Sequence, residues 1–280
     1  NFLTDQRFQS SEKPTGNQLI LGRFKKRRAA AGQAAIAQLK STASDIIAKR
    51  RASGKEASDL LAMLLSVRDS ELGDGLSDEE LLDEVMTLVI AGHDTTASAL
   101  TWTFHCLAKH PEWIESIRQE APELSDGAWS MADLQTLDVT KRVIQEAMRL
   151  YPPVWTFGRR TTEPMELCGY HIPADCSVTM PLSALHRQAD QWERPDDFFP
   201  DHFLPEAVKM RHKLAYFPFG AGQRMCIGSH YAMMEMQLIV AQVLAAFTPK
   251  LPPLRRLRLL PQVTLQPAQP LPCVFEPFKL

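Results

Sequence analysis

The chain has 280 residues, 45% hydrophobic and 23% charged, with a formal net charge of -2. That is enough for one large domain or two small ones, and the charge balance excludes a nucleic-acid partner and a polybasic membrane contact. The five cysteines, Cys106, Cys168, Cys176, Cys226 and Cys273, form no Cys-x-x-Cys pair and no disulfide framework. This points to a reducing compartment, the cytoplasm, and away from structural zinc, and no apolar run reaches membrane-spanning length.

Residues 1–18 show no clear periodicity. From Leu19 to Arg51 the chain favours helix, with Ile36, Leu39, Ala43, Ile46 and Ile47 as one apolar stripe. The cluster Lys25-Lys26-Arg27-Arg28 reads as a solvated face. A second helix is predicted from about Ala57 to Arg68, with Leu60, Leu61, Met63, Leu64 and Leu65 giving it a broad buried face. After a polar turn over 69–76, Ser77 and Glu80 form a capping box. The helix it opens runs to about His110, roughly 50 Å at 1.5 Å per residue. Its interior carries Gly92, Asp94, Thr95 and Thr96 in an otherwise apolar run. Glycine weakens a helix and threonine hydroxyls compete for its carbonyls, so a functional site is expected there.

Pro111 to Ala121 reads as a short amphipathic helix, and Leu124 to Leu137 as a polar linker with a further short helix. Val139 to Leu150 is a helix placing Glu146 and Arg149 on one face among apolar neighbours. Residues 154–185 turn to short strands, with a hairpin over Met165 to Pro173 and a strand over Ser177 to Met180. Gly228 to Phe247 is predicted to be a helix buried on most sides. The tail, Leu259 to Phe278, ends as β structure.

Between these lies Phe217-Pro218-Phe219-Gly220-Ala221-Gly222-Gln223-Arg224-Met225-Cys226-Ile227-Gly228. Its glycines permit backbone angles that aim amide N–H groups at one point. The following helix adds the positive end of its dipole near the Cys226 sulfur. A thiolate so held, beside a cation, is a good metal ligand. The alternative is a buried structural cysteine beside a glycine turn.

The spacing Phe-Gly-x-Gly-x-Arg-x-Cys-x-Gly, filled by Phe219, Gly220, Gly222, Arg224, Cys226 and Gly228, resembles the haem-binding loop of the cytochrome P-450 family. Ahead of it come Ala91-Gly92-x-Asp94-Thr95-Thr96, Glu146-x-x-Arg149 and Pro200-Asp201-His202-Phe203. That order looks like the C-terminal portion of a family member. The Leu150-Tyr151-Pro152-Pro153-Val154-Trp155 run resembles soluble bacterial relatives of fatty-acid and terpene hydroxylases.

The resemblance implies a mainly α fold with small β-sheets, in one domain whose N-terminal part lies outside the sequence. Residues 1–76 would be the helices before the central helix, 77–110 the oxygen-activating helix, 139–150 the Glu-x-x-Arg helix and 154–185 a β-rich segment. Residues 217–228 would form the haem loop, 228–247 the helix behind the haem and 259–278 the β tail. It implies haem b, iron protoporphyrin IX, with Cys226 as axial ligand. Ala91 and Gly92 would leave room beside the iron, and Asp94 and Thr95 would form the acid–alcohol pair that delivers protons. Glu146 and Arg149 match a structural pair; the family usually has Pro-Glu-Arg-Phe where this chain has Asp201 and His202. Arg224, Arg159 (with Arg160 as competitor) and His186 are the candidates for the two propionates. Val89, Ala91, Thr96, Val154, Trp155, Thr156, Phe157 and Leu271-Pro272 would wall an apolar or amphipathic substrate. The implied reaction is insertion of one oxygen atom of O2 into a C–H bond. A ferredoxin or flavin reductase would supply electrons, since the chain carries no flavin or iron–sulfur motif. Two alternatives are a truncated, non-catalytic haem-binding protein and a peroxide-using relative; the Asp94–Thr95 pair counts against both.

Overall fold

The computed structural model describes residues 16–54, 58–67, 75–121, 129–252 and 257–278, with side chains in the first helix from residue 30 onward. The chain divides into two units, Asn1–Ile90 and Ala91–Leu280. The Lys25–Arg28 side chains and most of the 69–76 turn lie outside the described residues.

The first unit holds helix α1 (Gly16–Ser53), helix α2 (Leu60–Ser66) and the opening of helix α3 (Asp78–Leu107). Asp59 caps α2 by accepting the Ala62 N–H at 2.9 Å, and Arg50 grips the same carboxylate at 2.8 and 2.7 Å. The capping box of α3 is formed: Ser77 donates its backbone N–H to Glu80 at 2.9 Å, and the Ser77 oxygen accepts the Glu80 N–H at 3.3 Å. Of the apolar stripe on α1, Ala43 and Ile47 are buried, while Ile36, Leu39 and Ile46 are exposed. One expectation is corrected. No residue of α2 is buried, and Leu60 and Met63 face outward. Apolar periodicity marks the side that seeks cover and does not by itself supply the partner.

In the second unit, the later turns of α3, helix α4 (Pro111–Glu120), helix α6 (Asp138–Leu150) and helix α9 (Ser229–Ala246) share one core. Ala99, Leu107, Ile114, Ile117, Val143, Ile144, Met236 and Leu244 are among its buried side chains. Helix ends leave backbone groups without partners, and side chains from neighbouring elements meet them here. Glu120 accepts the Val139 and Thr140 N–H groups at 2.7 and 2.6 Å at the start of α6. Arg118 donates to the Leu244 and Phe247 carbonyls at the end of α9. Helix α5 (Met131–Thr136) lies between α4 and α6, opened by a Ser130–Asp133 capping box. Helix α9 is not buried on most sides: Met236, Gln237, Val240, Ala241 and Leu244 form one buried face.

All paired strands are antiparallel and two-stranded. Strand β1 (Phe157–Arg160) pairs with β4 (Ser177–Met180), and β2 (Met165–Leu167) with β3 (Tyr170–Ile172). The β2–β3 turn places Cys168 and Gly169 at φ 51° and 82°, the left-handed pair a two-residue hairpin demands. In the tail, β5 (Phe247–Lys250) pairs with β8 (Val274–Pro277), and β6 (Leu259–Pro261) with β7 (Leu265–Pro267). The fold is thus helix-rich with small sheets, as the sequence suggested. Helix α7 (Leu182–Leu185), a 3-10 turn at Pro200–Phe203 and helix α8 (Pro205–Met210) lie between β4 and the cysteine loop.

Candidate active site

The cysteine loop is a folded-back turn. Gly220 donates its N–H to the Phe217 carbonyl at 2.9 Å, and Cys226 donates its own to the Phe219 carbonyl at 2.8 Å. Gly220 and Gly222 sit at φ 78° and 71°, where an L side chain is strained. A 3-10 turn over Gly222–Arg224 then raises Cys226, which lies two residues before Gly228, the N-cap of α9. The thiol is exposed, and its sulfur hydrogen-bonds to no described residue. A Cβ on Gly228 would lie 3.9 Å from Sγ, in ordinary van der Waals contact. Phe219 is partly buried against the core and fixes the root of the loop. A buried structural cysteine is therefore the wrong reading of Cys226.

Behind the loop is a buried ionic network. Arg149 forks onto Glu146 with Nε to Oε2 and Nη2 to Oε1, both 2.7 Å, and both side chains are fully buried. Its other three N–H groups go to the carbonyls of His186, Pro195 and Asp197 at 3.0, 2.6 and 2.9 Å. All five guanidinium donors are thus used. Glu146 also accepts the Phe199 N–H at 2.8 Å and His202 Nδ1–H at 3.1 Å. Burial works to raise the Glu146 pKa, but the bonds from Arg149, His202 and Phe199 outweigh it and hold the carboxyl below its ordinary value. His202 therefore fills the place of the expected arginine, and Asp201 pairs with Arg142. Arg211, which no motif singles out, donates to the His202 carbonyl at 3.0 Å and lies 3.8 Å from the Trp192 ring centroid.

Burial first, then the nearby charges of Arg149 and Arg211, push the His186 pKa down to about 3, so the ring is neutral. Its Nε2 accepts the Phe217 N–H at 3.2 Å. The fully buried ring thereby anchors the first residue of the cysteine loop, while its Nδ1 is buried with no partner among the described residues and keeps a hydrogen to donate to a propionate. Arg159 and Arg160 separate by strand alternation. Arg160 pairs with Asp175, whereas Arg159, among the described residues, bonds the Gly158 carbonyl at 2.8 Å and no carboxylate. Arg224 is exposed and forms no hydrogen bond or ion pair with a described residue.

On α3, Ala91, Gly92 and Asp94 are exposed and Thr95 half-buried. Thr95 donates its hydroxyl to the Ala91 carbonyl at 2.8 Å. A Cβ on Gly92 would meet nothing within 4 Å, so the space beside it is open. Asp94 is not isolated: Thr264 donates to its Oδ2 at 2.7 Å. The expected pocket wall is only partly assembled. Thr96 is buried inside the packing, and Val89 belongs to the other unit. Val154, Trp155, Thr156 and Phe157 are half-buried. Trp155 donates to the Gln262 carbonyl at 2.9 Å, and Phe157 approaches Gly220. A cleft of about 400 Å³ is lined by Asp94, Ala97, Thr101, Gln266, Ala268 and Pro270, among others; Leu271 and Pro272 are not part of it.

A family model for cytochrome P450 matches residues 9–273. The chain belongs to the cytochrome P450 family. It is 39% identical over 251 residues to the cyclooctat-9-en-7-ol 5-monooxygenase of Streptomyces melanosporofaciens, covering 87% of this chain and 53% of that protein. It is 36% identical over 210 residues to the pentalenene oxygenase of Streptomyces avermitilis, covering 74% and 46%. Among solved structures, the haem domain of cytochrome P450DA superposes with a TM-score of 0.83 at 29% identity, covering 91% of this P450 and 56% of that chain. A retinoic-acid-bound cyanobacterial P450 superposes with a TM-score of 0.81 at 30% identity, covering 88% and 57%. The chain spans about half the length of the curated relatives it matches. Among the described residues, no helix is long and apolar enough to cross a membrane.

The P450 family implies a haem-thiolate cofactor, and the residues present fit one. The donor set is a single exposed thiol with no partner among the described residues. Beside it, Met225 and Ile227 are 56% and 93% exposed, apolar surface suited to a flat apolar ring. Arg224 and Arg159, both uncommitted to a carboxylate, are cations available to two propionates.

Proposed function

We propose that the whole protein is a haem-thiolate monooxygenase that inserts one oxygen atom of O2 into a C–H bond of an apolar small molecule. The single observation that carries this reading is the exposed, unpartnered Cys226 thiol on a loop locked by the Phe219 carbonyl. Cys226 would hold the iron, with Arg224 and Arg159 on the propionates. Haem so held would supply the activation of O2.

The chain's own part is placement, proton supply and exclusion of water. One oxygen atom ends in the product and the other in water, so the reaction consumes two protons and two electrons. Thr95 donates its hydroxyl hydrogen to Ala91 within α3, which leaves the oxygen lone pairs to accept a proton on the open side beside Gly92. Asp94, one residue away, is the acid that resupplies it. Glu146 and Arg149 hold the Pro195–Phe199 stretch and the His186 anchor, so they keep the loop in place without touching substrate. The electrons come from a separate ferredoxin or flavin reductase. Half-buried Val154, Trp155 and Phe157 favour an apolar substrate. The names of the relatives, for cyclooctat-9-en-7-ol and pentalenene, agree with an unsaturated, oxygen-poor molecule.

The test is the absorption spectrum of the reduced, carbon-monoxide-bound protein. A strongly red-shifted Soret band, lost in Cys226→Ala, is expected. A band at the position given by a neutral axial ligand would remove Cys226 as the thiolate and with it the monooxygenase reading.

A further inference from the structure

The acid of the proposed proton-delivery pair is held by the C-terminal tail. Asp94, Ser98 and Trp102 lie at i, i+4 and i+8, one stripe of α3. All three bond to two consecutive tail residues. Thr264 Oγ1 donates to Asp94 Oδ2 at 2.7 Å, while Ser98 Oγ and Trp102 Nε1 both donate to the Leu265 carbonyl at 2.8 Å. Leu265 N–H is fixed in turn on the Pro153 carbonyl at 2.9 Å. Gln266 Nε2 donates to Thr264 Oγ1 at 3.1 Å and reaches Asp94 Oδ1 at 3.5 Å. The order of donation is therefore Gln266 to Thr264 to Asp94, a chain in which each bond polarises the next.

Thr264 is 2% exposed, and its hydroxyl has one described acceptor, the Asp94 carboxylate. A buried hydroxyl without an acceptor is costly, so the bond is hard to give up. A free aspartate side chain on a helix surface would sample several rotamers. This one is pinned beside Thr95, at the inner end of the cleft between α3 and the tail.

We propose that Thr264, supported by Gln266, is a positioning residue for Asp94: the tail hairpin sets where the carboxylate stands, and so whether protons reach Thr95. This rests on the monooxygenase reading above. When O2 is reduced without substrate, two protons and two electrons give hydrogen peroxide, and four of each give two waters. A misplaced acid favours peroxide.

The experiment uses the purified protein with NADPH, a ferredoxin and its reductase, measuring the peroxide-to-water ratio. Thr264→Val is expected to raise the ratio roughly tenfold, the worth of one hydrogen bond to a charged group. Thr264→Ser is expected to restore it, Gln266→Leu to raise it less, and Asp94→Asn to raise it with no further rise on adding Thr264→Val, because the two residues act as a unit. The second readout needs no haem: hydrogen–deuterium exchange over residues 262–267 should quicken in Asp94→Ala. An unchanged ratio in Thr264→Val, or unchanged tail exchange in Asp94→Ala, overturns the proposal. A Thr264→Val protein that keeps the red-shifted carbon monoxide band and the wild-type ratio sinks the positioning role alone. A wild-type protein without that band sinks the monooxygenase reading, while the exchange measurement still decides the tether.

Discussion

Arg149→Lys keeps the charge and removes the geometry, which isolates what the buried guanidinium does. Arg149 donates five hydrogen bonds of 2.6–3.0 Å, two to Glu146 and three to the carbonyls of His186, Pro195 and Asp197. An ammonium group has three donors on a single point, so at least two acceptors lose their partner. Each buried acceptor left unsatisfied costs about 1–3 kcal/mol, for a total of about 2–6 kcal/mol. In a chain of this size each kcal/mol moves the unfolding midpoint by roughly 2–4 °C, so a fall on the order of 10 °C is expected. Thermal unfolding followed by circular dichroism reads the shift. Arg194→Lys is the control, because its 2.9 Å pair with Asp197 is exposed, and such pairs contribute about 1 kcal/mol or less. Because Arg149 also holds the His186 carbonyl, and His186 anchors Phe217, the carbon monoxide band should weaken in Arg149→Lys. A midpoint within about 3 °C of wild type, which is about 1 kcal/mol, would refute the claim that the five-donor fork organises this region.

Gly92→Ala separates backbone cost from space. With nothing within 4 Å of the added Cβ, it should stabilise α3 by about 0.5–1 kcal/mol in urea unfolding while perturbing the carbon monoxide spectrum, and a destabilised variant would contradict the open space beside Gly92. Acid should weaken the fold from pH 6.5 downward. His186 and His105 have folded pKa values pushed down to about 3 and about 4, both mainly by burial, so the unfolded chain binds more protons below pH 6.5. Each histidine then removes about 1 kcal/mol or slightly more per pH unit until its folded value is reached, and Glu146 adds its loss only below its unfolded value near 4.5. Both ring nitrogens of His105 are buried without a partner, so His105→Leu should flatten the slope of stability between pH 6.5 and 5 without lowering stability at pH 7.5.

The motif residues were legible because each carries a local requirement. Ser77 and Glu80 announce a capping box, Gly220 and Gly222 a left-handed turn, and Glu146 and Arg149 a shared helical face. What was not legible depends on residues distant in sequence. That His186 is a buried, neutral ring packed on Tyr216 and Phe217, with Nε2 on the Phe217 N–H, has no local signal. The tether on Asp94 spans 170 positions, and neither Thr264 nor Gln266 has a pattern that names its partner. Within the predicted β tail, Gln262, Val263 and Thr264 form the turn between β6 and β7, which buries Thr264 and leaves Val263 exposed. Burial on α2 and α9 was overestimated for a related reason: a run of leucine or alanine fixes helix type, whereas the width of the buried face is set by what packs on it.

His202 shows how such a network is satisfied with a histidine beside the buried carboxylate. An imidazole reaches Glu146 with one donor, at 3.1 Å, where an arginine would offer several. The remaining demand is met in two ways. Phe199 brings a backbone N–H to the same Glu146 oxygen at 2.8 Å, and Arg149 spends two donors on the carboxylate. The second cation comes from Arg211, nine residues past His202, which bonds the His202 carbonyl and stacks 3.8 Å from Trp192. Arg149 lies 4.7 Å from the same ring, so Trp192 is shared by both guanidinium groups. Burial and neighbouring positive charge lower the Arg211 pKa, while the Glu146 charge opposes them. Arg211 thus stands on the aromatic ring and Arg149 on the carboxylate, and hydrogen bonds to Arg149 and Glu146 hold the backbone from Pro195 to Phe199.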